Sequence, residues 1–226
     1  MREALGWGAF AASSLVIGAA LGLARQWSNK LIGLVLAFGA GALISAVSFD
    51  LSAEGAKVGG GTAVAVGLAI GALTYFAADR LLPDDEDGGS ALALGAFLDG
   101  IPEQAVLGIG IAAGEGVGVG LLAAIFVSNL PEAIGSATSM KASHARIIGL
   151  WVAVAAVCTL STVVGYAIAD GASHKLQAGI DGFAAGALLV MLIDSMIPEA
   201  RRKGGDTAGL ITALGFAVAA GLSALS

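Results

Sequence analysis

The chain has 226 residues, of which 57% are hydrophobic and 12% are charged, and its formal net charge is −6. Soluble domains carry about a quarter charged residues, so this composition, with a mean hydropathy of +0.90, excludes an ordinary soluble domain and indicates a membrane protein. The one cysteine excludes an internal disulfide and a metal site made of several cysteines. The few scattered basic residues do not form a nucleic-acid-binding pattern.

In chain order, eight apolar stretches reach the length of about 20 residues that a transmembrane helix needs. They predict helices at 3–25, 31–53, 61–80, 90–113, 117–140, 146–169, 176–200 and 206–226. The first stretch is long for a cleaved signal peptide, and we interpret it as a true span. The predicted fold is therefore one all-α transmembrane domain over 1–226, since backbone groups in lipid must be satisfied within each segment.

The lysines and arginines indicate how these spans are oriented. Eight of them lie in connections after predicted helices 1, 3, 5 and 7, and three lie on the opposite side. Positive residues concentrate in short cytoplasmic loops. The sequence therefore predicts a multi-pass protein of the cell (inner) membrane, embedded in the lipid bilayer, with both termini outside the cytoplasm.

Predicted helices 2 and 7 contain similar sequences at an offset of 145 residues. Residues 38–43, Phe-Gly-Ala-Gly-Ala-Leu, resemble residues 183–188, Phe-Ala-Ala-Gly-Ala-Leu, and the same offset superimposes Glu54 on Glu199. Because the two helices run in opposite directions, the sequence predicts an inverted repeat with three, two and three helices about an axis in the membrane plane. The alternative is that glycine- and alanine-rich helices resemble each other by composition alone.

Predicted helices 4 and 5 each contain a proline followed by a glutamate. The two phrases are Asp-Gly-Ile-Pro-Glu at 99–103 and Ser-Asn-Leu-Pro-Glu at 128–132. Proline removes a backbone donor and releases a carbonyl one turn earlier, and a carboxylate in lipid is costly unless it faces a partner or a polar cavity. Their repeated combination indicates a cation site near the middle of the membrane.

Five oxygen-bearing side chains are the candidate ligands of this cation, namely Asp99, Glu103, Ser128, Asn129 and Glu132. Residues four apart share one helix face, so Asp99 and Glu103 lie on one face of predicted helix 4, and Ser128 and Glu132 lie on one face of predicted helix 5. Crowded carboxylates without a nearby lysine or arginine need a metal ion or protons. The alternative is a protonated carboxylate that is hydrogen-bonded across a helix interface.

Four further acidic residues mark a candidate route for the ion. Asp50 and Glu54 lie towards the outer end of predicted helix 2, and Asp194 and Glu199 lie in the inner part of predicted helix 7. The alternative for Glu54 and Glu199 is a solvated charge at a helix end.

With these features the chain resembles the ZIP (Zrt/Irt-like) family of divalent metal transporters, of the bacterial type. The resemblance rests on the eight-span outline, the two Pro-Glu helices, and the stretch from Ala-Ala-Gly at 184–186 to Ile-Pro-Glu at 197–199. It implies ligands at the five residues above, and ion movement towards the cytoplasm by alternating access with rocking or elevator-like sliding of helix groups. It also makes a homodimer reasonable. No cofactor is expected, since the divalent cation is the substrate.

The chain departs from the family's typical His-Asn-x-Pro-Glu phrase in ways that affect the expected ion. Asp99 and Ser128 replace the histidines, Gly100 stands where a second-site ligand is usual, and predicted helix 6 has no acidic residue. We therefore expect one principal ion. Oxygen ligands without imidazole favour Mn²⁺, Fe²⁺ or Mg²⁺, although Zn²⁺ also accepts carboxylates.

Two alternatives belong to other functional classes. An intramembrane aspartyl protease would use Asp99 and Asp194, but the residues before Asp99 lack the glycine spacing of such enzymes, so we predict that the protein is not an enzyme. The main alternative is a transport-inactive metal-sensing or regulatory protein of the same fold. Metal flux into vesicles separates it from a transporter.

Overall fold

The computed structural model is all-helical and describes residues 1–81, 89–112 and 118–224, with only the backbone described at 89–99. The regular helices are α1 (Arg2–Ala24), α3 (Gly61–Asp79), α4 (Gly89–Ala112), α5 (Val119–Ser139), α6 (His144–Ala169) and α8 (Ala208–Ser223). Two longer helices contain π-helical segments. Helix α2 comprises Asn29–Ala46, Val47–Ala53 and Glu54–Gly59, and α7 comprises His174–Met191, Leu192–Met196 and Ile197–Gly204.

Six stretches of the described chain are long and apolar enough to cross a membrane, with the continuous stretch His174–Ser223 counted once. Together with the helical content, this confirms the prediction of an all-α membrane protein. The eight-span count stays a prediction.

Helices α2 and α7 are built alike at the offset of 145 residues. Each begins after a serine, Ser28 or Ser173, whose hydroxyl accepts a hydrogen bond from the third following amide and so caps the helix. Their π-helical segments begin at Val47 and Leu192, again 145 residues apart. The two helices thus match in local structure as well as in sequence.

The ends of these two helices match as well. Both end at a glycine with a positive φ, 95° at Gly60 and 69° at Gly205, a conformation that glycine adopts at little cost. These glycines are also separated by 145 residues.

Glycines let these two helices contact their partners backbone to backbone. A Cβ added to Gly41 of α2 would lie 1.9 Å from the Thr212 carbonyl oxygen of α8, and one added to Gly186 of α7 would lie 2.1 Å from the Leu68 oxygen of α3. Small residues allow the two backbones to approach this closely. In lipid, where the hydrophobic effect does not drive helices together, such close packing stabilises helix association. The α2–α8 and α3–α7 pairs therefore use equivalent glycines.

The helices form two groups. Helices α1, α4, α5 and α6 pack on one another, mainly through α4–α6, α1–α5 and α1–α6, and we call them the site bundle. Helices α2, α3, α7 and α8 pack mainly through α3–α7 and α2–α8, and we call them the flanking bundle. The bundles meet chiefly where α2 crosses α5 and, less extensively, where α7 contacts α4.

The packing at Gly41 can be tested with a single methyl group. Gly41→Ala should lower the free energy of unfolding by about 2 kcal/mol or more. The added methyl group would overlap a backbone oxygen of α8, and only separation of α2 from α8 relieves that overlap. Thermal unfolding in detergent measures the loss. Gly149→Ala is the matched control, because a Cβ on that helical glycine would have no neighbour within 4 Å in the part of the chain that the structure describes. Equal stability of the two variants would contradict the packing described.

Candidate metal site

Helices α4 and α5 bring a carboxylate and a hydroxyl together in the interior of the protein. Ser128 Oγ lies 3.4 Å from Glu103 Oε1, and both residues are at most 1% exposed. On the other side of α5, a Cβ on Gly39 of α2 would lie 3.0 Å from the Ser128 Cα. The contact between the two Pro-Glu phrases is therefore covered by the flanking bundle.

The Ser128 hydroxyl has two acceptors but one proton. Its oxygen lies 3.1 Å from the Ile125 carbonyl oxygen of its own helix, closer than Glu103 Oε1. When the proton goes to the shorter bond, the Ser128 and Glu103 oxygens face each other as two acceptors. A proton or a cation between them stabilises that arrangement.

Neighbouring amide side chains make the site more polar than the carboxylates alone. Asn129 and Gln104 are each at most 1% exposed, and among the described residues the Asn129 Nδ2 and Gln104 Nε2 atoms have no hydrogen-bond partner. The Gln104 Oε1 atom accepts a 2.7 Å hydrogen bond from Thr162 Oγ1 of α6. An amide oxygen and nitrogen exchange places on rotation of the side chain, so each amide offers either a donor or an acceptor towards the site.

Helix α6 contributes the cysteine next to these residues. The Cys158 thiol is buried on α6. A Cβ on Gly100 would lie 2.7 Å from the Cys158 Sγ. Gly100, the position at which the resemblance expects a ligand of a second metal site, therefore lies where α4 and α6 pack together.

The remaining predicted ligands are only partly placed. Glu132 is half-buried on α5, while Asp99 lies in α4 with its side chain outside the described residues. Among the described side chains, no group of three or more histidines, cysteines or acidic residues is arranged to hold a metal ion. Within these residues, a metal site at this place would combine carboxylates with the Ser128 and Asn129 oxygens, and the five-ligand set stays a prediction.

A polar cavity of about 530 Å³ lies on the predicted outer side. Asp50 and Glu54 both line it; Asp50 accepts a 2.6 Å hydrogen bond from Ser223 Oγ, and Glu54 pairs with Lys57 at 2.8 Å. The cavity extends to Leu107, which is buried and lies one helical turn from Glu103. The first two route residues therefore share one cavity above the site.

A second polar cavity, of about 450 Å³, lies on the predicted inner side. It is lined by Glu199, Arg202 and Lys203 of α7 and by Gly135 of α5, one turn beyond Glu132. Glu199 forms ion pairs with both Arg202 and Lys203.

Asp194, the last of the predicted route residues, lies elsewhere. It is exposed on the π-helical segment of α7 and lines neither of these two cavities. Its role in the route stays a prediction.

Sequence reasoning missed five polar residues that the structure places in or near the site and its approaches, namely Gln104, Thr162, Cys158, Asp181 and Lys203. Gln104 follows Glu103 directly, and its amide in an apolar stretch was a usable signal. Asp181 is buried in α7, with its Oδ2 3.2 Å from the Cβ position of Gly55, and an acidic residue within a long apolar run is also such a signal. The other three look ordinary in the sequence.

Among known proteins, the chain is similar to a protein of Arabidopsis thaliana named "Putative zinc transporter At3g08650". The two are 28% identical over 194 residues, which cover 79% of this chain and 30% of that protein. The chain thus spans less than a third of its relative. No protein-family model matches the chain. The similarity supports the resemblance to metal transporters drawn from the Pro-Glu helices.

The contact between Gly100 and Cys158 predicts a measurable coupling. Gly100→Ala should destabilise the protein by about 1–3 kcal/mol through overpacking, and should cost less in a Cys158→Ala background, where the sulfur is removed. A double-mutant cycle of thermal unfolding in detergent measures the coupling. Gly110→Ala on the same helix is the control, since its Cβ would meet none of the described residues within 4 Å. Additive effects would mean that the two residues do not touch.

The bond between Thr162 and Gln104 gives a second prediction. Thr162→Val leaves the buried Gln104 oxygen without its hydroxyl donor, and should reduce stability by about 1–3 kcal/mol. Thr159→Val is the matched control on α6, since among the described residues the Thr159 hydroxyl bonds the Ala155 carbonyl of its own helix alone. If both variants unfold at the same temperature, the α4–α6 hydrogen bond contributes nothing.

Proposed function

We propose that the chain is a divalent metal-ion transporter of the ZIP type that moves Zn²⁺, Mn²⁺ or Fe²⁺ towards the cytoplasm by alternating access. The observation that carries this proposal is the buried contact between Glu103 and Ser128, from two proline-containing helices, between two polar cavities. The similarity to a protein named as a zinc transporter supports the substrate class. In this proposal the five predicted ligands hold the transported ion, and the chain has no catalytic role.

The spacing of the two contact atoms suits an ion between them. Two oxygens bound to a tetrahedral Zn²⁺ at about 2.1 Å lie about 3.4 Å apart, which matches the 3.4 Å between Ser128 Oγ and Glu103 Oε1. Octahedral Mg²⁺ at about 2.0–2.1 Å would bring neighbouring oxygens to about 3 Å. A divalent cation held by both oxygens therefore fits this spacing with little movement of α4 or α5.

The proposed route connects the two cavities through this site. An ion would enter past Asp50 and Glu54, bind between α4 and α5, and leave past Glu199, with Asp194 as a further route residue. On the outer side, the cavity reaches Leu107, whereas the buried Glu103 does not line it. In this conformation the site is therefore closed to the outer cavity. An ion could reach the site from that side only after a conformational change, as alternating access proposes.

We also propose eight spans in a 3+2+3 inverted repeat. The proposal is supported by the matched caps, π-helical segments and terminal glycines of α2 and α7, and by the equivalent glycine contacts of α2–α8 and α3–α7. In such a repeat the site bundle and the flanking bundle are the natural moving parts. The lysine and arginine bias supports an orientation with both termini outside the cytoplasm, and a bacterial-type inner-membrane protein and a homodimer are proposed by resemblance.

Transport by vesicles containing the full chain tests the proposal. Glu103→Gln or Glu132→Gln should reduce Zn²⁺ uptake to background, because each removes the negative charge that compensates the ion, and competition with Mn²⁺, Fe²⁺ and Cd²⁺ should rank the ions. Glu3→Gln, at the exposed start of α1, is the control. Unchanged uptake in both site variants would contradict the carboxylate site. Tight Zn²⁺ binding without uptake by the wild type would favour the metal-sensing alternative.

A further inference from the structure

A lysine at the end of α7 projects into the inner cavity beside α5. The Lys203 Nζ atom lies 2.6 Å from Glu199 Oε1, and 3.1 Å from the position that a Cβ on Gly135 would take. Its side chain is 19% exposed, whereas that of Arg202, the other partner of Glu199, is 70% exposed. The ammonium group is thus a largely buried positive charge in the cavity through which a transported cation would leave.

The backbone that carries Lys203 is held against α2. A Cβ on Gly33 would lie 2.2 Å from the Gly204 nitrogen and 2.6 Å from the Lys203 Cβ. No side chain fits at this crossing, so the base of the lysine is fixed in position. The four-carbon stem beyond it turns about several bonds and moves the ammonium group.

Glu132 lies within reach of this ammonium group. Gly135 follows Glu132 by three residues on α5, and the Cβ positions of residues three apart on one helix face are separated by about 5–6 Å. The Lys203 Nζ atom lies 3.1 Å from the Gly135 Cβ position. The sum of these two distances places Nζ within about 9 Å of the Glu132 Cβ. One lysine therefore has two carboxylates near it, Glu199 at the cavity wall and Glu132 at the site.

We propose that Lys203 is a tethered competitor of the transported ion and governs its release to the inner side. This inference rests on the proposed transport function and deepens it. In the closed arrangement Glu199 holds the ammonium group away from the site. When the inner side opens, the ammonium group turns to Glu132, takes the place of the departing cation and leaves the carboxylate paired. Glu199 is then the resting partner of Lys203 and not a ligand of the ion.

Removing this charge should slow release and strengthen binding. Lys203→Met should lower both the maximal rate and the KM of Zn²⁺ uptake into vesicles, and should tighten equilibrium Zn²⁺ binding to the purified full chain by about fivefold or more. Lys203→Arg keeps the charge and should restore most of the wild-type behaviour. A purely structural role of Lys203 would lower the rate without tightening binding.

Two further variants separate the charge from its surroundings. Arg202→Met removes the exposed partner of Glu199 and should leave KM close to that of the wild type. Gly135→Ala places a methyl group 3.1 Å from the flexible end of Lys203. The lysine side chain can move away from this methyl group without unfolding of the protein. Like Lys203→Met, this variant should tighten Zn²⁺ binding.

The outcomes distinguish this inference from the proposed function. Wild-type uptake together with unchanged KM and binding in Lys203→Met would overturn the role of Lys203 and leave transport standing. Absence of uptake by the wild type would overturn transport, and the binding comparison would still show whether Lys203 competes for the site. A Lys203→Arg variant as altered as Lys203→Met would also overturn the competition.

Discussion

The structure depends on one costly contact, the approach of the buried Glu103 carboxylate to the Ser128 hydroxyl across two proline-containing helices. A buried carboxylate is costly unless a partner, a proton or a bound cation stabilises it, and the single Ser128 proton is shared between Glu103 and the Ile125 carbonyl oxygen. The arrangement is hard to explain as packing, because an apolar pair of similar volume would pack there without this cost. The cation site proposed above would give this buried polar contact a role.

The packing around this contact provides the rigidity that such a site needs. Helix α4 packs closely on α6 at Gly108, where a Cβ would lie 1.9 Å from the Thr162 carbonyl oxygen. Helix α5 packs closely on α1 at Gly18, where a Cβ would lie 2.6 Å from the Leu130 oxygen. Such contacts resist sliding within a bundle, since neither backbone can yield. The bundles meet mainly where α2 crosses α5, over a smaller contact than the α4–α6, α1–α5, α3–α7 and α2–α8 pairs make within them. Rigid groups that meet over limited surfaces are the usual basis of alternating access.

Much of this architecture could be predicted from the sequence. Hydropathy and composition were sufficient for an all-α membrane protein, and the doubled Pro-Glu phrase was sufficient to place Glu103 near Ser128. The offset that aligns residues 38–43 with 183–188 also aligns the two π-helical segments. The π-helical segments themselves gave no signal, and α2 extends to Gly59 rather than to residue 53. The positions of Cys158, Thr162 and Lys203 depend on which helices touch, which no local pattern specifies.

The two cavities differ in charge in a way that bears on direction. The outer cavity carries Asp50, bonded to a neutral serine, and Glu54, whose partner Lys57 is largely exposed. At the inner cavity Glu199 faces two positive groups, so the local balance there is positive. A divalent cation is therefore attracted on the outer side and repelled on the inner side. Such a difference cannot drive net transport at equilibrium, but in the proposed transport cycle it would favour binding from the outer cavity and release into the inner one.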